Sequence, residues 1–134
     1  MMNEDVKAVK AALDLWTTGV QNKDMATISK AVVHDDDMVW IGGNKREWII
    51  GYDALERAME GQNSALDHIR IEVSDETIHV SADRLFAWAT SQWKFCAQAG
   101  GQLIEIPLRT TWILEKRKPG WVIVHFHKSV GAAE

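Results

Sequence analysis

Cysteine is nearly absent from this chain of 134 residues. The one residue of this type, Cys96, has no partner for an internal disulfide and cannot form a metal site by itself, which is typical of proteins from a reducing cytosol. The N-terminal residues form no apolar signal core, and no apolar run approaches ~18 residues. We therefore expect a cytoplasmic protein that is neither exported nor inserted in a membrane.

An excess of positive charge is also missing. The formal net charge is −4, so nothing indicates a surface for nucleic acid or for an anionic membrane, and we expect neither partner. The chain has no Gly-rich phosphate loop, no nucleophile elbow, no His-Glu-x-x-His and no cysteine pair. Nothing indicates a Ser/His/Asp triad, and we expect no cofactor.

What is present is the composition of an ordinary globular protein, with one exception. Hydrophobic residues make up 46% of the chain and charged residues 25%, which suits a single domain over residues 1–134. The exception is tryptophan, which occurs seven times. Because tryptophan combines a large apolar ring with one polar tip, it is found in pockets and interfaces as well as in cores.

Helices come first along the chain and strands follow. Helical spacing of apolar residues predicts a helix over residues 3–22, Asp24 is a plausible N-cap for a second helix through Ala31, and a third runs from Tyr52 to about Gln62. Alternation predicts strands at 38–41, 48–50, 69–73, 77–80, 85–97, 103–117 and 121–130, with a turn at 74–76 and hairpin connections at 99–101 and 118–120. This order predicts an α+β fold.

Three short patterns could carry chemistry, and each has a simpler explanation. His125 and His127 share one strand face and could bind a metal if a third ligand came from elsewhere, but hydrogen bonding within a packed face or an interface is the favoured explanation. The acidic turn at residues 34–37 is typical of a solvated turn before a strand. Cys96 has the features of a small buried hydrophobic residue without a base nearby. No metal site is therefore predicted.

The last three strands offer two faces each, because successive side chains of a strand point to opposite sides. The even-numbered positions include Trp88, Gln92, Trp112, Phe126 and Lys128. The odd-numbered positions include Trp93, Arg109, His125 and His127. Neither set has the composition of a plainly solvated face. We therefore expect helices to cover one face and a second copy of the chain to cover the other.

The segment Trp121-Val-Ile-Val-His-Phe-His-Lys-Ser, preceded by Arg109-Thr-Thr-Trp and the Ala99-Gly-Gly turn, resembles the association (hub) domain of calcium/calmodulin-dependent protein kinase II. Gly51-Tyr-Asp and Asn22-Lys-Asp fit the same pattern. That family belongs to the nuclear transport factor 2-like group, together with ketosteroid isomerases and SnoaL-like cyclases. The resemblance implies a cystatin-like cone, in which a curved antiparallel sheet wraps over about three N-terminal helices around a cavity. It also implies homodimers that pair through the outer face of the sheet.

The resemblance further implies which face lines the cavity. In the hub domain the position that matches Lys128 points inward, so the even-numbered set is expected to line the cavity, closed by Trp40 and Trp16. The predicted ligand-binding residues are Trp16, Trp40, Trp88, Gln92, Trp112, Phe126 and Lys128. The expected dimer face carries Trp93, Arg109, His125 and His127. The hub cavity carries three arginines, and their positions match Gln92, Trp112 and Lys128 of this chain. Of these three residues, only Lys128 is charged. One ammonium in an apolar pocket favours an aromatic or aliphatic carboxylate as the ligand.

The catalytic residues of ketosteroid isomerases are not found at the matching positions. The tyrosine position falls on Trp16, the base position on Trp40, and the second acid on Thr111 or Trp112. None of these side chains can exchange a proton as required at neutral pH, so we predict no catalytic residue of that kind and no steroid isomerase activity. Three functions stay open: a non-catalytic homodimer that binds a small molecule, an isomerase, cyclase or dehydratase with another acid–base group, and an assembly module with a filled core.

Overall fold

The computed structural model describes residues 3–118 and 120–132. Over these residues the chain forms three helices and one sheet of six strands, which confirms the α+β prediction. The helices are α1 (Glu4–Gln21), α2 (Met25–Ala31) and α3 (Tyr52–Ala65). The strands are β1 (Val39–Ile41), β2 (Trp48–Ile50), β3 (Asp67–Val80), β4 (Phe86–Ala99), β5 (Gln102–Lys116) and β6 (Trp121–Ser129). Within the described residues, no helix is both long and apolar enough to cross a membrane.

The helix ends follow from local hydrogen bonds. The side chain of Asn3 accepts a hydrogen bond from the Val6 amide at 2.8 Å and caps α1, while Asp24 accepts one from the Thr27 amide at 3.2 Å and caps α2, as predicted. Gly51 precedes α3 with φ of 87°, and a Cβ there would lie 2.8 Å from the carbonyl oxygen of Asp36. Only glycine fits this turn without strain.

The sheet is open, with the strand order β2-β1-β6-β5-β4-β3. It is mixed rather than wholly antiparallel, because β1 pairs in parallel with β6 and aligns Trp40 with Phe126. The helices cover the concave face. The buried side chains of α1, which include Val9, Leu13 and Trp16, pack in one core with inward-facing residues of the sheet.

The prediction of two strands around a turn at residues 74–76 is wrong. Residues 67–80 form the single strand β3, and the register with β4 shifts between Ser74 and Thr77. Asp75 has φ of 52° at this irregularity. The polar run that suggested a turn is therefore a β-bulge, which bends a strand without ending it. The predicted connection at 118–120 joins β5 to β6, where the Arg117 amide donates to the Gly120 carbonyl at 2.9 Å; Pro119 lies outside the described residues.

Two register features decide which side chains point inward. The Gly100-Gly101 hairpin pairs Ala99 with Gln102, so odd-numbered residues of β4 stand beside even-numbered residues of β5. A bulge after Ile113 then changes the pairing of β5 with β6, so that Leu114 pairs with Ile123 while Trp112 pairs with Phe126. The inward-facing residues therefore have odd numbers in β4 and even numbers in β5. In β6 they have odd numbers up to Ile123 and even numbers from Phe126. The prediction of one even-numbered inward face is wrong for β4.

Candidate functional site

A cavity of about 420 Å³ lies between the helices and the concave face of the sheet. Its walls are mainly apolar. Helices α1 and α3 contribute Trp16, Leu55 and Met59, and the sheet contributes Trp93, Phe95, Ile106 and Leu108. The polar side chains that line it are few, which is usual for a small-molecule pocket, where a handful of groups orient the ligand.

Five aromatic rings pack together beside this space, and four of them line it. Trp16, Trp40, Trp93, Trp112 and Phe126 are all buried. The ring centroids of Trp112 and Phe126 are 4.0 Å apart, and those of Trp16 and Trp40 are 4.6 Å apart. The rings are tilted against one another, an arrangement that aromatic pairs favour over a face-to-face stack. Trp112 lies behind the rings that line the cavity.

A short chain of buried hydrogen bonds supports the aromatic cluster. The Trp112 Nε1–H donates to Thr110 Oγ1 at 3.1 Å, and the hydroxyl of Thr110 lies 2.6 Å from that of Ser91. Thr110 also donates to the Ser91 carbonyl at 3.2 Å. Because each buried polar group has a partner, the indole of Trp112 is held in one orientation without a desolvation penalty.

Lys128 contributes a positively charged side chain to the cavity wall. Its side chain is 17% exposed, and its Nζ lies 5.8 Å from the centroid of the Phe95 ring. Burial lowers the pKa of Lys128, since an apolar environment disfavours the charged form, and the Glu47 carboxylate opposes part of this shift. The Nζ of Lys128 and Oε2 of Glu47 are 3.9 Å apart, which is beyond hydrogen-bonding distance.

Glu47 is a cavity residue that sequence analysis missed. It follows the loop between β1 and β2, in which the Gly42 amide donates to the Glu47 carbonyl at 2.7 Å and the Asn44 side-chain amide donates to the Glu47 carboxylate. The Glu47 side chain crosses the space that a Cβ at position 42 would fill. No periodicity marks this residue, and only the Gly42-Gly43 pair, which signals a tight loop, could have drawn attention to it.

The structure separates the predicted site residues into two groups. Trp16, Trp40, Phe126 and Lys128 line the cavity, and Trp112 lies directly behind them. Whether they bind a ligand stays a prediction.

The other two predicted residues, Trp88 and Gln92, do not line the cavity, so their placement was wrong. Trp88 is 45% exposed on the outer face and stacks on His79, with ring centroids 5.3 Å apart. Gln92 is exposed and donates to Asp75 at 2.9 Å. The reason is the odd–even pairing across the β4–β5 hairpin, which carries even-numbered residues of β4 outward.

The same register changes which of the predicted residues lie on the outer face of the sheet. Trp93 is buried in the aromatic cluster and cannot belong to an outer surface, so that part of the prediction was wrong. Arg109 and His127 are exposed on the outer face. His125 is partly buried, and its Nδ1 lies 2.7 Å from the Val39 carbonyl oxygen. The outer face also exposes Phe86 and Ile113.

The weaker sequence patterns have structural partners. His34 stacks on Tyr52 with centroids 4.0 Å apart, and Asp35 is paired with Arg117 at 3.0 Å, which lowers the pKa of Asp35. Cys96 is buried. Within residues 3–118 and 120–132, no three His, Cys, Asp or Glu side chains are grouped as metal ligands would be.

The positions that match ketosteroid isomerase catalytic residues are aromatic or exposed. Trp16, Trp40 and Trp112 pack against one another inside the cluster, whereas Thr111 is exposed on the outer face. An indole offers one N–H donor and no proton acceptor at neutral pH. Among the described residues that line the cavity, the ionisable side chains are those of Glu47 and Lys128.

Comparison with known proteins gives one family and a set of similar folds. Residues 9–133 match the family model described as SnoaL-like domain. A protein from Streptomyces avermitilis assigned as a dehydratase of the nuclear transport factor 2-like family has a TM-score of 0.87 at 15% identity, over 96% of this chain and 98% of that chain. A ketosteroid isomerase-like protein from Erwinia carotovora atroseptica has a TM-score of 0.78 at 18% identity, over 98% and 100%.

A third similar structure bears on the resemblance seen in the sequence. A protein from Xanthomonas campestris assigned as a calcium/calmodulin dependent protein kinase II association domain has a TM-score of 0.79 at 18% identity, over 94% of this chain and 87% of that chain. The search of curated proteins found no match. At these identities the structural likeness establishes the fold alone. It confirms the predicted nuclear transport factor 2-like fold.

Proposed function

We propose that this chain, which belongs to the SnoaL-like domain family, binds a small, mainly apolar molecule bearing a carboxylate in the cavity between helices and sheet. One observation carries the proposal. A largely buried ammonium, that of Lys128, faces an apolar cavity while the Glu47 carboxylate stays 3.9 Å away.

The energetics of burial favour an anionic ligand group. Removing a charge from water is unfavourable unless another charge or hydrogen bond compensates, and the lowered pKa of Lys128 reflects this. A ligand carboxylate near Nζ would supply the short, charge-assisted hydrogen bond that Glu47 does not make at its present distance. The apolar body of the ligand would then lie against Trp16, Trp93 and Phe95. A volume of about 420 Å³ is within the range that such pockets have.

Tryptophan fluorescence tests this proposal, since three indoles line the cavity. We expect benzoate, 2-naphthoate or hexanoate to change the emission in a saturable manner. Lys128→Met removes the ammonium and should weaken binding about tenfold or more, equivalent to ~1.4 kcal/mol. Lys7→Met is the matched control, because the Lys7 side chain is 60% exposed on α1. Unchanged affinity in a folded Lys128→Met variant would refute the site. Indifference to every compound would refute the ligand class and favour an assembly module.

The proposal includes a homodimer formed through the outer face of the sheet. Phe86, Trp88 and Ile113 are all more than a third exposed there, and an apolar group of this kind is expected to be covered. Trp88→Glu would place a charge at its centre and should shift the protein to a monomer in sedimentation velocity. Leu15→Glu on α1, outside the sheet, is the matched control and should leave the dimer intact. A wild-type monomer at micromolar concentration would refute this part.

Glu47 supports a second function, that of an isomerase, cyclase or dehydratase. A carboxylate beside an amine in an apolar cavity has the composition of a general acid–base pair, which typically contributes 10²–10⁴-fold to a rate. If a carboxylate or carbonyl ligand is turned over, Glu47→Gln should abolish turnover while binding persists. Turnover that survives Glu47→Gln would exclude this residue as the acid–base group.

A further inference from the structure

We propose that Lys128 captures an aldehyde in the cavity as an imine, with Glu47 carrying the proton. The proposal rests on the cavity of the proposed function but differs in ligand chemistry, because it requires an electrophilic carbonyl carbon instead of a carboxylate. The site is made of the Lys128 amine, the Glu47 carboxylate and the apolar wall that includes Phe95.

The surroundings of Lys128 are those that make an amine nucleophilic. An amine attacks a carbonyl only in its neutral form, and an apolar environment favours that form. The nearest carboxylate oxygen, Glu47 Oε2, is 3.9 Å away, so the nitrogen is not held by a tight ion pair. The centroid of the Phe95 ring lies 5.8 Å from Nζ, so an aromatic ring forms part of the apolar surroundings of the amine.

Two other lysines, Lys10 and Lys94, have the opposite environment. The pKa of Lys10 is raised, first by its hydrogen bond with Glu76, and the pKa of Lys94 is raised, first by the charge of Glu105. Both amines are held in the charged form, so they are poor nucleophiles at neutral pH. Selective reaction is therefore expected at Lys128, because its surroundings are apolar whereas Lys10 and Lys94 are paired with carboxylates.

The step balances with these groups alone. Once a side-chain rotation brings Glu47 Oε2 from 3.9 Å to hydrogen-bonding distance of Nζ, Glu47 accepts a proton from the Lys128 ammonium. The free amine then adds to the aldehyde carbon, and one proton passes from the nitrogen to the oxygen to form a carbinolamine. The protonated Glu47 then donates to the carbinolamine hydroxyl, the C–O bond breaks, and water leaves. The product is a protonated imine beside the restored Glu47 carboxylate, so that ammonium plus aldehyde becomes iminium plus water without an oxidant or reductant.

Reductive trapping tests the proposal. The wild-type protein is incubated at pH 7 with 2-naphthaldehyde or hexanal and sodium cyanoborohydride, and the adduct is located by peptide mass spectrometry. We expect labelling of Lys128 to be about tenfold or more faster than that of Lys10, because each unit by which a pKa falls increases the neutral fraction about tenfold. Lys128→Arg keeps the positive charge and should lose this adduct. Glu47→Gln should slow capture about tenfold or more, through loss of the proton carrier.

Equal labelling of Lys128 and Lys10 would overturn the proposal, and unchanged or faster capture by Glu47→Gln would remove Glu47 from it. Thermal unfolding shows that each variant is folded. The matched carboxylates, 2-naphthoate and hexanoate, separate the two proposals. Carboxylate binding without aldehyde capture refutes the imine alone, whereas selective capture without carboxylate binding supports the imine and refutes the ligand class proposed above. Failure of both refutes both.

Discussion

Two tryptophans on the same strand provide a direct test of the register. Trp93 and Trp88 lie on opposite faces of β4, with 5% and 45% of their surface exposed. Replacing each by alanine removes the same atoms from two different environments. The ring of Trp93 lies 5.7 Å from Trp112 and 5.6 Å from Phe126, measured between centroids, so its loss opens a hole in the aromatic cluster.

Trp93→Ala is expected to be the more destabilising of the two substitutions. Truncation of a buried tryptophan costs about 3–5 kcal/mol, and we expect the lower end for Trp93→Ala because the adjoining cavity already admits solvent. For a domain of this size, ~3 kcal/mol lowers the melting temperature by roughly 10 °C. Trp88 loses only about half of its surface within one chain, roughly 100 Å², so Trp88→Ala should cost about 2 kcal/mol in the monomer.

Thermal unfolding by circular dichroism measures both variants. The comparison is made at protein concentrations low enough to separate chain stability from association, because dimer formation raises the melting temperature with concentration. A Trp93→Ala protein that melts like the wild type, together with a strongly destabilised Trp88→Ala monomer, would show that β4 faces the other way. The site and the outer face would then both be wrong.

Three further outcomes follow from single contacts. Hydrogen bonds from Arg84, Trp121 and Lys116 lower the pKa of Asp5 from 3.8 to about 2. The ionised Asp5 therefore stabilises the fold fully above pH 3.8, and this stabilisation is lost as the pH falls towards 2. In urea unfolding, Asp5→Asn should be less stable than the wild type near pH 7, and its stability should decline less steeply between pH 4 and 2. Thr110→Val leaves both the Ser91 hydroxyl and the Trp112 Nε1–H without their partner and should cost about 1–3 kcal/mol for each group in the same assay. Ser91→Ala combined with Thr110→Val should recover only the Ser91 part. Gly42→Ala forces the Glu47 side chain away, so any change in ligand affinity that Glu47→Gln causes should also appear in Gly42→Ala. A changed affinity in Glu47→Gln beside a wild-type affinity in Gly42→Ala would contradict the loop geometry.

Local signals along the chain predicted most of the fold. The spacing of Val9, Leu13 and Trp16 predicted α1, and the side chain of Asp24 predicted the start of α2, because helix periodicity and capping depend on residues a few positions apart. The Trp121–Ser129 segment, together with Arg109-Thr-Thr-Trp, the Ala99-Gly-Gly turn, Gly51-Tyr-Asp and Asn22-Lys-Asp, indicated the family group, and the SnoaL-like domain model that matches residues 9–133 supports it.

Tertiary structure decided which side chains share the cavity, because a face is set by the pairing of strands and not by one strand alone. The Gly100-Gly101 hairpin carried a clue, since a two-residue loop pairs odd with even positions and would have placed Trp93 inside. The sequence contained no such clue to the bulge after Ile113 or to the loop that brings the Glu47 carboxylate to 3.9 Å from the Lys128 amine. Both depend on contacts between residues far apart in sequence, and these form only when the strands assemble around the aromatic cluster.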